Sequence, residues 1–277
     1  MLDALAPARR RLVLLLTLGL LLAVLGVGAL VVLRAVGDQV RPVPQGKPGP
    51  VLLVSGYGGS TGSLEPVRRA LEAAGRDVVV VSPVGAGTGD LRWQARSLAD
   101  QADAAVERFG ASSVDVVGYS AGGVVARLWV RDLGGASLAR RVLSVGSPQH
   151  GTSLAELAVG VAGSCPTACR QLAPDSDLLR RLNAGDETPR GPVFVSVWSS
   201  ADRTVVPPDS ARLAGALDFT VQSVCPSART SHGGLPADPV VLAALGTTLG
   251  SAAPRPPTGL PCPPPAPPAD SPLRSAG

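Results

Sequence analysis

Apolar residues fall into two kinds of pattern along this chain. The first is an unbroken run. From Leu12 to Leu33 only Thr17 and glycines interrupt the aliphatic side chains. The second is an alternation of short runs with helical spacing. Val51-Leu52-Leu53-Val54, Asp77–Val81, Val114–Val117, Arg141–Val145 and Val193–Trp198 are short and rich in β-branched residues, as buried strands are, and Phe219-Thr220-Val221 is a shorter sixth. Between them, Leu64, Val67, Leu71 and Ala74 recur at helical spacing and end at Gly75, while Leu91, Ala95, Leu98, Ala102, Val106 and Phe109 end at Gly110. Residues 121–132 read as a helix, and Asp238-Pro239 starts a last one through Val240, Val241, Ala244 and Leu245. Strands alternating with helices predict an α/β domain: a mostly parallel sheet with helices on both faces.

The unbroken run changes the picture of where that domain works. As a helix it is long enough to cross the roughly 30 Å of a bilayer core. Arg9-Arg10-Arg11 before it predict the N-terminus inside and the rest of the chain outside the cytoplasm. The expected organisation is a basic flank over 1–11, a transmembrane signal anchor over 12–33 and a Pro/Gly linker over 34–49. The folded domain follows over 50–250, with a possible cap insertion over 160–190, and a Pro-rich tail over 251–277. Ala35-Val36-Gly37 is a small-x-small site, so a cleaved signal and a secreted product are the alternative.

Composition narrows the functions. The 277 residues carry a formal charge of +4, spread over scattered arginines with Lys47 the only lysine. Aromatics make up 3%, and no basic run is interleaved with them, which argues against a nucleic-acid surface. The four cysteines are Cys165, Cys169, Cys225 and Cys262. No C-x-x-C occurs, and neither histidine sits at ligand spacing from a cysteine, so no metal site is expected. In an exported chain an even count favours disulfides, and the expected pairs are Cys165–Cys169 and Cys225–Cys262.

The candidate chemistry lies in the loops after the strands. Gly118-Tyr119-Ser120-Ala121-Gly122 matches G-x-S-x-G between a strand and a helix, a setting that exposes the serine hydroxyl above the sheet. A serine hydroxyl needs a base, and the base an orienting acid. Only two histidines exist, His150 and His232. The chain order serine, acid, histidine favours His232, because it leaves room for an acid after an intervening strand. That acid is Asp202, directly after Val193–Trp198. His150 reads as a loop-ordering residue, Asp175, Asp177 and Asp186 as turn or cap residues, and Asp115 as buried in the serine's own strand. The backbone N–H groups of Ala121 and of Tyr57, in the glycine-rich Ser55–Ser60 loop, are the expected oxyanion donors.

Together the segments Val51–Gly59, Gly118–Gly123, Gly146–Thr152, Ser199–Asp202 and Ser231–Gly233 resemble the α/β-hydrolase superfamily. The nearest likeness is to small secreted actinobacterial and Bacillus-type lipases and esterases, over about residues 50–248. The resemblance implies an α/β-hydrolase fold, a triad of Ser120, Asp202 and His232, an oxyanion hole at Tyr57 and Ala121, and acyl-ester or lipid substrates without a cofactor. One position departs from the pattern. The family usually has His-Gly at the end of the first domain strand, where this chain has Ser55-Gly56. Two rival readings are an acyltransferase of cell-envelope lipids and a catalytically silent envelope-binding protein.

Overall fold

A computed structural model describes residues 7–37, 40–160 and 165–262. The chain divides into two compact units, Met1–Arg41 and Pro42–Gly277. The first contains one helix, α1 (Pro7–Gly37), among its described residues. Side chains of α1 are described at Arg11 and over residues 15–29, all exposed. Among the described residues no helix is long and apolar enough to cross a membrane, and the span expected over 12–33 is therefore not shown. Most of the expected Pro-rich tail, residues 263–277, lies outside the described residues.

The second unit is built on six parallel strands: β1 (Val51–Val54), β2 (Val78–Val80), β3 (Val114–Tyr119), β4 (Ala139–Val145), β5 (Val193–Trp198) and β6 (Leu217–Thr220). Their order across the sheet is β2-β1-β3-β4-β5-β6. Successive residues of β1 and β3 point to opposite faces, and both faces are apolar. Leu52, Val54, Val114 and Val116 join one core, while Val51, Leu53, Val117 and Tyr119 join the other. This is why these strands read as continuous apolar runs without alternation.

Helices α3 (Leu91–Phe109) and α4 (Ala121–Asp132) cover the first face, with the short α6 (Thr167–Gln171) and α7 (Asp177–Leu182). Helices α2 (Glu65–Ala73) and α9 (Pro239–Leu249) cover the second. Local chemistry sets several ends. The Asp90 carboxylate accepts the Arg92 N–H at 2.9 Å to start α3, and Gly110, at φ 58°, ends it in the left-handed region. The Asp238 carboxylate accepts the Val240 N–H at 2.8 Å to start α9. Helices α5 (Ser153–Gly160), α6, α7 and α8 (Val221–Val224) have no counterpart in the sequence pattern. Each spans about two turns or fewer, too short to display helical periodicity.

The amino ends of the strands are held by a buried charge cluster. Asp115 is fully buried, and its Oδ2 accepts from Arg140 at 2.5 Å and Arg76 at 2.7 Å. These arginines also donate to the closing carbonyls of α9: Arg140 to Leu249 at 2.6 Å and Arg76 to the same oxygen at 2.9 Å. Arg141 adds bonds to Thr248 at 2.5 Å and Ala252 at 2.7 Å. Cations at a helix carboxyl end are favoured by its dipole, so one cluster ties β3, β4 and the last helix together. The cysteines pair as Cys165–Cys169 and Cys225–Cys262, with Cα–Cα distances of 5.3 and 5.5 Å. Removing the carboxylate strands buried guanidinium charge, so Asp115→Ala is expected to cost about 3–5 kcal/mol in urea unfolding. A loss below about 1 kcal/mol would contradict this account of the cluster.

Candidate active site

The strand order reverses between β1 and β3: the chain goes outward to β2 on one side and to β4, β5 and β6 on the other. Crevices at such a reversal, beyond the carboxyl ends of the strands, are where ligands bind in open parallel sheets. Both loops at this reversal carry candidate residues. The loop after β1 carries Ser55-Gly56-Tyr57, and Ser120 follows β3 directly.

Ser120 has φ 54° and ψ −127°, and among the described residues it alone has a positive φ without being glycine. A side chain in that region costs about 1–3 kcal/mol, which the surrounding packing must impose. It does so by bringing backbones too close for any side chain. A Cβ at Gly122 would lie 2.3 Å from the Val54 oxygen, and one at Gly118 would lie 2.5 Å from the Gly123 nitrogen. A Cβ at Gly56 would lie 2.9 Å from that of Ser120, so the β1 loop also passes directly beside the turn.

Asp202 and His232 come to the same point from distant loops. The His232 Nε2 lies 2.9 Å from the Ser120 Oγ, and its Nδ1 lies 2.7 Å from the Asp202 Oδ2. The partners assign the tautomer: the carboxylate accepts from Nδ1–H, which leaves Nε2 to accept the serine proton. Asp202 is buried, and its other oxygen accepts the N–H groups of Thr204 at 2.7 Å and Val205 at 3.0 Å. Both carboxylate oxygens thus have partners, which fixes the plane presented to the imidazole. Ala121 follows the serine directly at the start of α4, and Tyr57 lines the same cavity as Ser120.

Sequence reading missed the residues that hold this geometry. The Tyr119 hydroxyl donates to the His232 carbonyl at 3.1 Å, and the two rings lie 5.2 Å apart. Burial, together with the charge of Asp202, pushes that phenol up to about 12, so it remains a donor at neutral pH. The Ser199 hydroxyl donates to the Thr230 carbonyl at 2.6 Å, which joins the acid's loop to the histidine's loop. Gln222 braces both, donating to Ser199 at 3.0 Å and to the Ala228 carbonyl at 3.3 Å.

Behind the serine, Arg127 of α4 is buried and donates to Gln149 at 3.1 Å, Asn183 at 2.9 Å and the Leu182 carbonyl at 3.2 Å. Burial pulls its guanidinium down to about 10 against the attraction of Glu187, and it remains charged at neutral pH. His150 stands apart from the serine. Its ring meets the Ser210 carbonyl at 3.2 Å and Glu187 at 2.8 Å, as befits a loop-ordering residue. Asp115 lies in the charge cluster at the opposite ends of the strands, Asp177 pairs with Arg180, and Asp186 accepts the Thr188 N–H at 3.0 Å within its own turn.

A cavity of about 320 Å³ opens at Ser120, lined by Tyr57, Leu154, Ala155, Leu172 and Val205 among others. Its walls are mainly apolar, and α5 and α6 supply much of them. The expected insertion over 160–190 therefore contributes to the cavity through α6, while residues 161–164 lie outside the described residues. No group of histidine, cysteine or acidic side chains suited to holding a metal ion occurs among the described residues.

Glu187 links this region to pH. Burial raises its carboxyl, but the His150 hydrogen bond, the Ala214 N–H and Arg127 outweigh burial and hold it below its ordinary value. A depressed folded-state value stabilises the protein above the unfolded value near 4.5, and that contribution disappears as pH falls through the folded value. Glu187→Gln is thus expected to lower the unfolding free energy at pH 7 and progressively less below pH 4.5. A stability difference that grows on acidification would contradict the assignment.

A family model described as the alpha/beta hydrolase fold matches residues 49–173. Solved structures extend the likeness beyond that range. Aspergillus fumigatus lipase B has 21% identity and a TM-score of 0.61, with 74% of this chain and 54% of that one covered. The mature form of Bacillus licheniformis lipase BlEst2 has 16% identity and a TM-score of 0.60, covering 76% and 94%. Its propeptide form has 16% identity and a TM-score of 0.63, covering 79% and 54%. The chain thus spans about half the length of the fungal lipase. At these identities the likeness establishes the fold. No curated protein matches the chain in sequence.

Proposed function

We propose that this chain is a serine hydrolase of the alpha/beta hydrolase superfamily, acting on carboxylic esters with an acyl group of apolar character. The observation that carries the proposal is the hydrogen-bond chain from Asp202 through His232 to Ser120, ending on a strained turn at the mouth of an apolar cavity. Each part has a chemical use. The Ser120 Oγ attacks the ester carbonyl as the His232 Nε2 takes its proton. Asp202 holds the tautomer and stabilises the imidazolium that forms. Charge developing on the carbonyl oxygen meets the N–H groups of Tyr57 and Ala121, the latter at the positive end of α4. The tetrahedral species collapses as His232 protonates the leaving alcohol. Water, deprotonated by His232, then releases the acid from Ser120.

The apolar cavity supports an acyl chain as the recognised part, and the lipases among the solved neighbours fit that choice. Two disulfides support a working place outside the cytoplasm, because such bonds persist in oxidising compartments. The arginines before the apolar run at 12–33 support export of everything that follows, whether that run serves as leader or as anchor.

Ser120→Ala is expected to lower kcat/KM on p-nitrophenyl esters by a factor of about 10⁴ or more, with an unchanged melting temperature. Asp202→Asn, which offers the imidazole a donor in place of an acceptor, should lose activity on the same scale with little change in KM. Full activity in either variant would contradict the assigned roles.

A further inference from the structure

The apolar side chains left on the surface are not scattered. Among the described residues of Pro42–Gly277, the large hydrophobic side chains that are exposed are Tyr57, Val84, Trp93, Leu154, Leu157 and Val159. Tyr57 lies after β1, Val84 after β2, Trp93 in the first turn of α3, and the remaining three on α5 after β4. In a parallel sheet every segment that follows a strand starts at the same edge. All six therefore belong to the edge on which Ser120 opens. Leu157 is 67% exposed and Trp93 57% exposed, so neither supports the core. Exposed apolar side chains gathered at one edge around a site mark an interaction surface.

A second feature adjoins it. Helix α6 has two faces. Cys169, with Leu172 just after the helix, lines the cavity at Ser120, while Thr167, Arg170 and Gln171 line another cavity of about 340 Å³. Arg92 and Arg181 complete that second cavity with Ser176, and its one lining carboxylate, Asp177, pairs with Arg180. Arg170 donates only to the Cys165 carbonyl at 2.6 Å and the Thr167 hydroxyl at 3.2 Å, and among the described residues neither Arg170 nor Arg181 has a carboxylate partner. Guanidinium groups with hydroxyl and amide neighbours match the oxygens of a phosphodiester.

We propose that this edge docks on an anionic phospholipid surface. One headgroup phosphate enters the Arg92–Arg170–Arg181 cavity, and Trp93, Leu154, Leu157 and Val159 reach the acyl boundary. The inference rests on the ester-hydrolase reading and deepens it. With α6 as the shared wall, the apolar cavity at Ser120 opens toward the layer that holds acyl chains. Amphipathic rings such as that of Trp93, here under the Arg96 guanidinium at 4.9 Å, are suited to such an interface.

The test is tryptophan fluorescence of the full chain carrying Ser120→Ala, so that loss of the proposed chemistry leaves the readout intact. The chain has three tryptophans, and Trp129 is buried, while Trp93 is the exposed one. Vesicles of phosphatidylglycerol are expected to shift emission to shorter wavelength. Trp93→Phe should abolish the shift, and phosphatidylcholine vesicles should not produce it. Arg170→Gln with Arg181→Gln, and separately Leu157→Asp, should each raise the lipid concentration needed by about tenfold or more. No shift, or one equal on both lipids and unaffected by the arginine changes, would overturn the proposal. A shift that depends on protein concentration without lipid would assign the rim to a second copy of the chain and overturn it as well.

Discussion

The backbone at Ser120 is the constraint on which the site depends. A φ of 54° on a serine is unfavourable alone, and it persists because three segments meet there with no room for side chains. The end of β1 touches Gly122, the start of α4 touches Gly118, and the loop after β1 touches Ser120 itself through Gly56. The same close approach that strains the turn lifts the hydroxyl out of the sheet. Strain and the proposed chemistry share one cause, the crowding at the reversal of strand order.

The histidine and its acid are held differently. Their loops are long and irregular, and side-chain bonds to backbone carbonyls fix them: Tyr119 to His232, Ser199 to Thr230, and Gln222 to Ala228. Such bonds give the His232, Thr230 and Ala228 carbonyls partners within the fold. The Cys225–Cys262 bond closes the same region from the side of the tail.

Much of this could be read from residue order. Strands buried on both faces announce themselves as unbroken apolar runs, and α3 and α9 carry caps that read locally. The proposed base was legible because only two histidines compete, and its acid because it follows a strand. The bracing residues were not legible, since Tyr119 meets His232 across 113 positions and nothing local marks that pairing. Arg127 did carry a signal. It stands among Val124, Val125, Ala126 and Leu128 in a helix buried all round, where a charge must find partners or unfold the site. Those partners, Gln149 and Asn183, sit on segments whose placement depends on the whole fold. The helices from α5 to α8 were invisible for a simpler reason: too few turns to show a period. The apolar run at 12–33 is a different case: a helix covers it, but among the described residues no membrane span is shown.

The central claim is that Ser120 is a nucleophile activated by His232. Treatment with a fluorophosphonate followed by mass spectrometry of the digested protein tests it most directly. The account predicts one adduct, on the peptide that contains Ser120, formed at a rate that falls sharply when His232 is replaced by Ala. An unmodified Ser120 peptide, or an adduct whose formation ignores His232, would contradict it.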